Sequence, residues 1–159
     1  MPLEIPNFRL VRPDVVQMNG QNHRMRLDIE RGMPLGYEYQ GFELLGLEGI
    51  YNGGFCRLKP FQATRTLLIT GQSDCWDKVV FGQATFLAIN PEGEIEEFQR
   101  KKGDQKVVHY GTGWIVTWIA GEEDATVLQL ASPPLLEGRV VRKIQAAYSQ
   151  RLRELTQAA

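Results

Sequence analysis

The sequence predicts an all-β protein, a sandwich or barrel of short strands, closed by a single helix near its C-terminal end. Three observations carry this. Glycines recur at short intervals, at 36, 41, 46, 49, 53, 54, 71, 82, 93, 103, 111, 113 and 121, and β-rich pieces lie between them. Residues 23–30 alternate strictly: Met25, Leu27 and Ile29 share one face, while Arg24, Arg26, Asp28 and Glu30 share the other. After Ser132-Pro133-Pro134, apolar residues return at helical rather than alternating spacing.

Taken in order, residues 1–20 bear prolines and read as an irregular arm lying over the barrel. The strand at 23–30 follows and ends at Gly32 and Pro34. Further strand pieces are Phe55–Leu58, Thr64–Thr70, Trp76–Phe81, Ala84–Ile89, Ile95–Gln99, Lys106–His109, Trp114–Ile119 and Thr126–Ala131. Asn90-Pro91-Glu92-Gly93 suits a tight turn, with proline second and glycine fourth. Val140, Val141, Ile144, Ala147, Tyr148, Leu152 and Leu155 mark the apolar stripe of a helix over 138–156, which packs on its own barrel or on a partner chain. The organisation expected is one domain over 1–159, with an arm at 1–20, a barrel at 21–134 and this helix.

Composition excludes several classes of function. The net charge of −1 gives no global attraction to nucleic acid or to an anionic membrane. The longest apolar stretches fall far short of the roughly 20 residues that span a bilayer. No basic stretch followed by an apolar run opens the chain, so a cytoplasmic protein is expected. Cys56 and Cys75 form no CxxC pair and read as reduced, buried thiols. There is no Gly-Lys-Ser/Thr phosphate loop and no nucleophile-elbow serine. Arg100-Lys101-Lys102 reads as the solvated tip of a hairpin.

Two runs carry a family resemblance. Lys59-Pro60 through Gly82, including Ser73-Asp74-Cys75-Trp76-Asp77, is similar to the first motif of the cupin superfamily, and Gly103-Asp104 through Trp118 is similar to the second. The span from about Gly54 to Arg142, ending in the strand-like Ala125–Ser132 and Pro133-Pro134, resembles a cupin barrel, a double-stranded β-helix or jelly roll. In metal-dependent members these motifs supply histidines and a glutamate. Here the glutamate slot falls on Cys75, with Asp74 beside it. The first two histidine slots fall on Leu68 and Thr70, or on Ile69 and Gly71. His109-Tyr110-Gly111 stands in for a Pro-x-Gly turn, Trp114 takes the last histidine slot and Trp118 the asparagine slot. The resemblance therefore implies the fold without its metal, and no cofactor is expected.

If Trp114 points inward as this register implies, Val116 and Trp118 do too. The indoles then either plug the barrel or stack on a flat ligand or sugar. Arg57, Arg65 and Gln129 are candidates to join such a pocket, and Asp74 with Asp77 is a candidate acid–base pair.

Three functions are open on this reading. The first is a non-catalytic, metal-free binding or interaction protein. The second is a metal-independent epimerase or isomerase of a sugar nucleotide or similar carbonyl substrate, using His109 with Tyr110, or Asp74 with Asp77. The third is a structural subunit, a homodimer or larger oligomer, assembled through helix 138–156.

Overall fold

A computed structural model describes residues 8–27, 37–69, 71–110, 113–133, 138–141 and 143–157. Its strands are β1 (Phe8–Arg12), β2 (Val15–Met18), β3 (Gln21–Leu27), β4 (Glu38–Leu44), β5 (Asn52–Leu58), β6 (Leu67–Ile69) and β7 (Ser73–Phe81). They continue as β8 (Gln83–Ile89), β9 (Ile95–Lys101), β10 (Gln105–Tyr110), β11 (Ile115–Ala120), β12 (Ala125–Ser132) and β13 (Gly138–Val140), and α1 (Ala146–Thr156) follows. Asp28, Ile29 and Glu30 of the alternating run lie outside the described residues.

The pairing of β5 to β12 is nested. β8 pairs with β9, β7 with β10, β6 with β11 and β5 with β12, all antiparallel. This is one long hairpin rolled up, so that successive pairs fall alternately in two sheets, which is the jelly-roll solution. One sheet runs β1-β2-β3-β4-β5-β12-β7-β10 and the other β13-β6-β11-β8-β9. Their facing sides share one core: Cys56, Cys75, Val79 and Val127 from the first meet Ile69, Phe86, Val116 and Trp118 from the second.

Residues 8–20 are not the irregular arm expected from the sequence; residues 1–7 lie outside the described residues. β1 to β4 form a meander that extends the first sheet and curls back over its outer side. Phe8, Val16, Met18 and Met25 pack there with Trp76, Leu128 and Leu130. The Lys78 ammonium donates to the Phe8 carbonyl at 2.9 Å, although β1 and β7 stand far apart in the sheet order. The hairpin between β2 and β3 turns on Asn19 and Gly20, at φ 49° and 82°. Two successive positive φ values fit the two-residue type I′ turn, for which Asn-Gly is the preferred pair. Strands of four and five residues, broken by Pro13, are too short to show alternation.

The helix expected over 138–156 is shorter. Residues 138–140 are β13, paired with Ile69, Leu68 and Leu67 on the free edge of β6, and the Val141 N–H continues the contact to the Thr66 carbonyl. α1 starts only at Ala146, because Gln145 still has extended backbone (φ −48°, ψ 141°). Val140 and Val141 match the helical stripe by coincidence of spacing.

No side chain caps the start of α1, and eleven residues are marginal as an isolated helix. Tertiary packing holds it. Tyr148 is fully buried against Leu87, Ile89 and Ile119, with Leu152 and Leu155 beside it. Arg151 adds a two-pronged ion pair to Glu97 on β9. The apolar face of the helix is thus spent on its own barrel, one of the two packings the sequence left open.

Beneath the helix runs a buried hydroxyl chain. Tyr148 Oη lies 2.8 Å from the Leu87 carbonyl and 2.6 Å from Thr117 Oγ1, which lies 2.8 Å from Thr66 Oγ1. The carbonyl only accepts, so the protons run from Thr66 to Thr117 to Tyr148 to Leu87. Tyr148→Phe breaks this chain without removing the ring. We expect a loss of about 1–3 kcal/mol in urea unfolding, whereas a loss within error would mean that the hydroxyls add nothing to the docking of the helix.

Candidate functional site

The site is built from the inward faces of β7, β12, β10 and β11. On β7, Cys75, Asp77 and Val79 point into the barrel, while Trp76 belongs to the outer core. Gly41, Gly54, Gln129, Asp77 and Lys106 form one cross-strand row over β4, β5, β12, β7 and β10. The Gly53-Gly54 step is needed here. A Cβ at Gly54 would run into the Tyr39 ring, and one at Gly53 into the Phe42 ring and the Gln129 carbonyl.

Gln129 Nε2 donates to Asp77 Oδ1 at 3.1 Å, and the Cys75 thiol lies 3.4 Å from the same oxygen. Burial pushes the Asp77 carboxyl up to about 6, against the lowering pull of these two hydrogen bonds and of the Arg100 charge. Burial raises the Tyr110 phenol well above its usual value, with the charge of Asp77 acting the same way. Facing them, Trp118 lies 5.0 Å from Phe86, and the half-buried Trp114 stands edge-on to Tyr110 at 5.8 Å.

Both indoles therefore lie on the inner side of the barrel, as the register of Trp114, Val116 and Trp118 implies, and Gln129 joins them. The other candidates are dispersed. Asp74 and Asp77 stand on opposite faces of β7, being three residues apart on a strand, and do not form an acid–base pair. Arg57 points outward, 3.4 Å from Glu38 and over the Phe55 ring at 5.6 Å. Arg65 precedes β6, where its main chain hydrogen-bonds the Tyr37 hydroxyl. Tyr110 belongs to β10 rather than to a turn and is buried inside. The side chain of His109 lies outside the described residues.

The charge felt at Asp77 is that of Arg100, which reads from the sequence as part of a solvated hairpin tip. It stacks on Phe98 at 4.9 Å. The strand register accounts for this placement: on β9, Phe98 and Arg100 sit opposite Phe86 and Ala84, which both face inward.

The metal of metal-dependent cupins does not fit these residues. The inward side chains at the ligand slots include Ile69, Cys75 and Trp114. Burial, reinforced by the Asp77 charge, pushes the Cys75 thiol well above its usual pKa and keeps it protonated. Among the described residues, no three His, Cys, Asp or Glu side chains gather to hold an ion. No described helix is long and apolar enough to cross a membrane.

No family model and no curated protein sequence matches this chain. Solved structures do. The Drosophila melanogaster CENP-C cupin domain superposes with a TM-score of 0.52 at 14% identity, over 68% of this chain and 75% of that one. Drosophila melanogaster CENP-C bound to CAL1 gives 0.51 at 13%, over 77% and 88%. A tryptophan-to-phenylalanine variant of Bacillus subtilis oxalate decarboxylase gives 0.54 at 18% over 74% of this chain, which spans only 30% of the decarboxylase. At such identities the likeness is one of fold. With the nested pairing of β5 to β12, it shows that this chain has the cupin fold, a mainly β jelly roll with a single C-terminal helix.

Proposed function

We propose that this chain is a metal-free cupin-type binding protein, a single domain over 1–159, that takes a small ligand into its barrel and holds it without turning it over. The observation that carries this reading is Asp77. The residue is 4% exposed beside an apolar core, and the ion pairs of the described residues do not include it. A buried acid without a cation costs stability. Groups held at such a cost concentrate where a ligand is bound. The aromatic side chains of Trp114, Trp118, Phe86 and Tyr110 around it supply apolar walls of the kind ligand sites use. Binding is favoured over turnover by the separation of Asp74 from Asp77 and by the lack of a metal-holding donor set among the described residues.

The three tryptophans offer a direct assay. In a small-fragment screen read by indole N–H resonances, interior binders should move Trp114 and Trp118 and leave Trp76, sealed on the outer side, in place. A library in which no member moves Trp114 or Trp118 would overturn the reading. So would stoichiometric zinc, manganese or iron in the purified protein by elemental analysis.

The cost of Asp77 has a sign in pH. Its folded pKa of about 6 lies above the ordinary 3.8, so the native state holds a proton that the unfolded chain releases between these values. This contribution to stability is complete below about pH 4 and is lost as the pH rises through about 6. A shift of about two units corresponds to about 3 kcal/mol. Asp77→Asn should therefore be more stable than the parent at pH 7, by up to about 3 kcal/mol. The difference between the two should vanish towards pH 4. A variant less stable than the parent at every pH would contradict this electrostatic origin.

A further inference from the structure

A pocket of about 580 Å³ opens where β4, β5 and β12 meet the turn from β7 to β8. Its volume is that of a small-molecule site. Leu58 and Ala125, 2% and 1% exposed, close its floor towards the inner core. Glu38, Arg57, Thr126 and Phe81 stand in one cross-strand row along its wall. Residues directly opposite one another in a sheet share a face, so these four side chains are neighbours.

Phe81 joins that row through a β-bulge. Cys75, Asp77 and Val79 point into the barrel, so strict alternation would send Phe81 inward as well. The ladder between β7 and β12 slips at this point: Val79 lies opposite Val127, but Phe81 lies opposite the adjacent Thr126. The extra residue, Val80, turns the Phe81 ring out of the core. Phe81 is 54% exposed, more than any other large apolar residue among the described ones. Bulges re-aim side chains in this way at barrel rims and beside functional sites. Gly82, at φ 72°, then brings the turn so close to the Asp124 carbonyl that a Cβ would clash. That approach fixes Phe81 and Asp124 on the same bank of the pocket.

The other bank is basic. The Arg57 guanidinium lies over the Phe55 ring at 5.6 Å, and Glu38 reaches one of its nitrogens at 3.4 Å. Lys59 follows two residues on, in a turn where the Lys59 N–H donates to Gln62 Oε1 and the Gln62 N–H to the Lys59 carbonyl. Arg57 and Phe81 are two strand steps apart across Thr126, about 10 Å. That span suits a molecule with a carboxylate at one end and a ring at the other. The charged residues of the lining balance, Arg57 and Lys59 against Glu38 and Asp124, so neither a plain anion nor a plain cation answers all of them. We infer that this pocket binds an aromatic amino acid as its zwitterion, with the carboxylate on Arg57 and Lys59, the ring against Phe81 and the ammonium on Asp124. An arginine fork takes a carboxylate through paired hydrogen bonds, and two rings in contact gain beyond their burial. The site is separate from the interior of the barrel and does not depend on what the interior holds.

The test titrates L-phenylalanine, L-tyrosine and L-tryptophan into isotope-labelled protein, with 3-phenylpropanoate and phenethylamine as comparators that lack the ammonium or the carboxylate. At least one amino acid should move the amide resonances of Phe81, Asp124 and Thr126, with a Kd at least tenfold below that of either comparator. The indole resonances of Trp114 and Trp118 should stay in place. Phe81→Ser should weaken that amino acid at least tenfold while the unliganded variant melts no lower than the parent, because the ring is exposed. Asp124→Asn serves as the second variant and should bring the amino acid down to the affinity of 3-phenylpropanoate. If a comparator binds as tightly as every amino acid, or if Phe81→Ser keeps full affinity, the assignment is wrong. It is equally wrong if the amino acids move Trp118 instead of Phe81, or if none of them binds. None of these results bears on the fragment screen of the interior, so the two proposals fail separately.

Discussion

Several central strands of this fold are apolar on both faces, and that constraint organises the rest of the molecule. On β8, Phe86 and Ala88 face the barrel while Leu87 and Ile89 face away. On β11, Val116 and Trp118 point inward, and Ile115 and Ile119 outward. On β12, Val127 lies inside, and Leu128 and Leu130 outside. A bare jelly roll of these strands would present two large apolar faces to water. Each fully buried Leu, Ile or Phe contributes about 1.5–3 kcal/mol when covered. The chain supplies both covers itself: the meander β1 to β4 over one sheet and α1 over the other. This explains why a helix without its own cap is stable where it is, and why Tyr148 has no exposed surface. The molecule is best understood as four layers, with two outer cores protecting the strands that line an inner one.

With the outside sealed, the chemistry is left to the inside. The positions where metal-dependent cupins gather their donors carry here an aliphatic chain, a protonated thiol and an indole. Such replacements lower the polarity of the barrel, and a carboxyl placed there titrates far from its solution value. Asp77 is therefore the residue of the core whose ionised form is held at the greatest cost. Gln129 and Cys75 hold its first oxygen and leave its second open among the described residues. Arg100 sits close enough to be felt but outside the ion pairs of the described residues. These features place one polar group among the apolar side chains of the inner core.

The physics of each element decides how much of it is legible in the sequence. The strands of the roll can be read because glycine turns bound them and their residues are β-branched or aromatic. The inward course of Trp114, Val116 and Trp118 can be read because a strand has a fixed period of two. The meander escapes such reading because its strands are short, although the Asn19-Gly20 turn is a usable signal. β13 escapes it because edge pairing depends on a free partner, β6, and not on the pattern of residues 138–140 themselves. For the site, the sequence points to Asp77 but suggests the wrong partner, Asp74. The two lie close along the chain, and only the strand period, not proximity, sends them to opposite faces. Arg100 reads as solvent-exposed because charge runs are usually solvated. Its true surroundings depend on which residues of β8 stand opposite it, a tertiary fact that no local window contains.

The barrel holds a carboxyl largely away from water, outside every ion pair of the described residues, and the proposed binding role depends on it. The most direct measurement is a pH titration of the Asp77 carboxyl carbon by carbon-13 NMR in the folded protein. The expected midpoint is about 6. A midpoint near the ordinary 3.8 would mean that the carboxyl is solvated or ion-paired, and the barrel would then have no buried acid to offer a ligand.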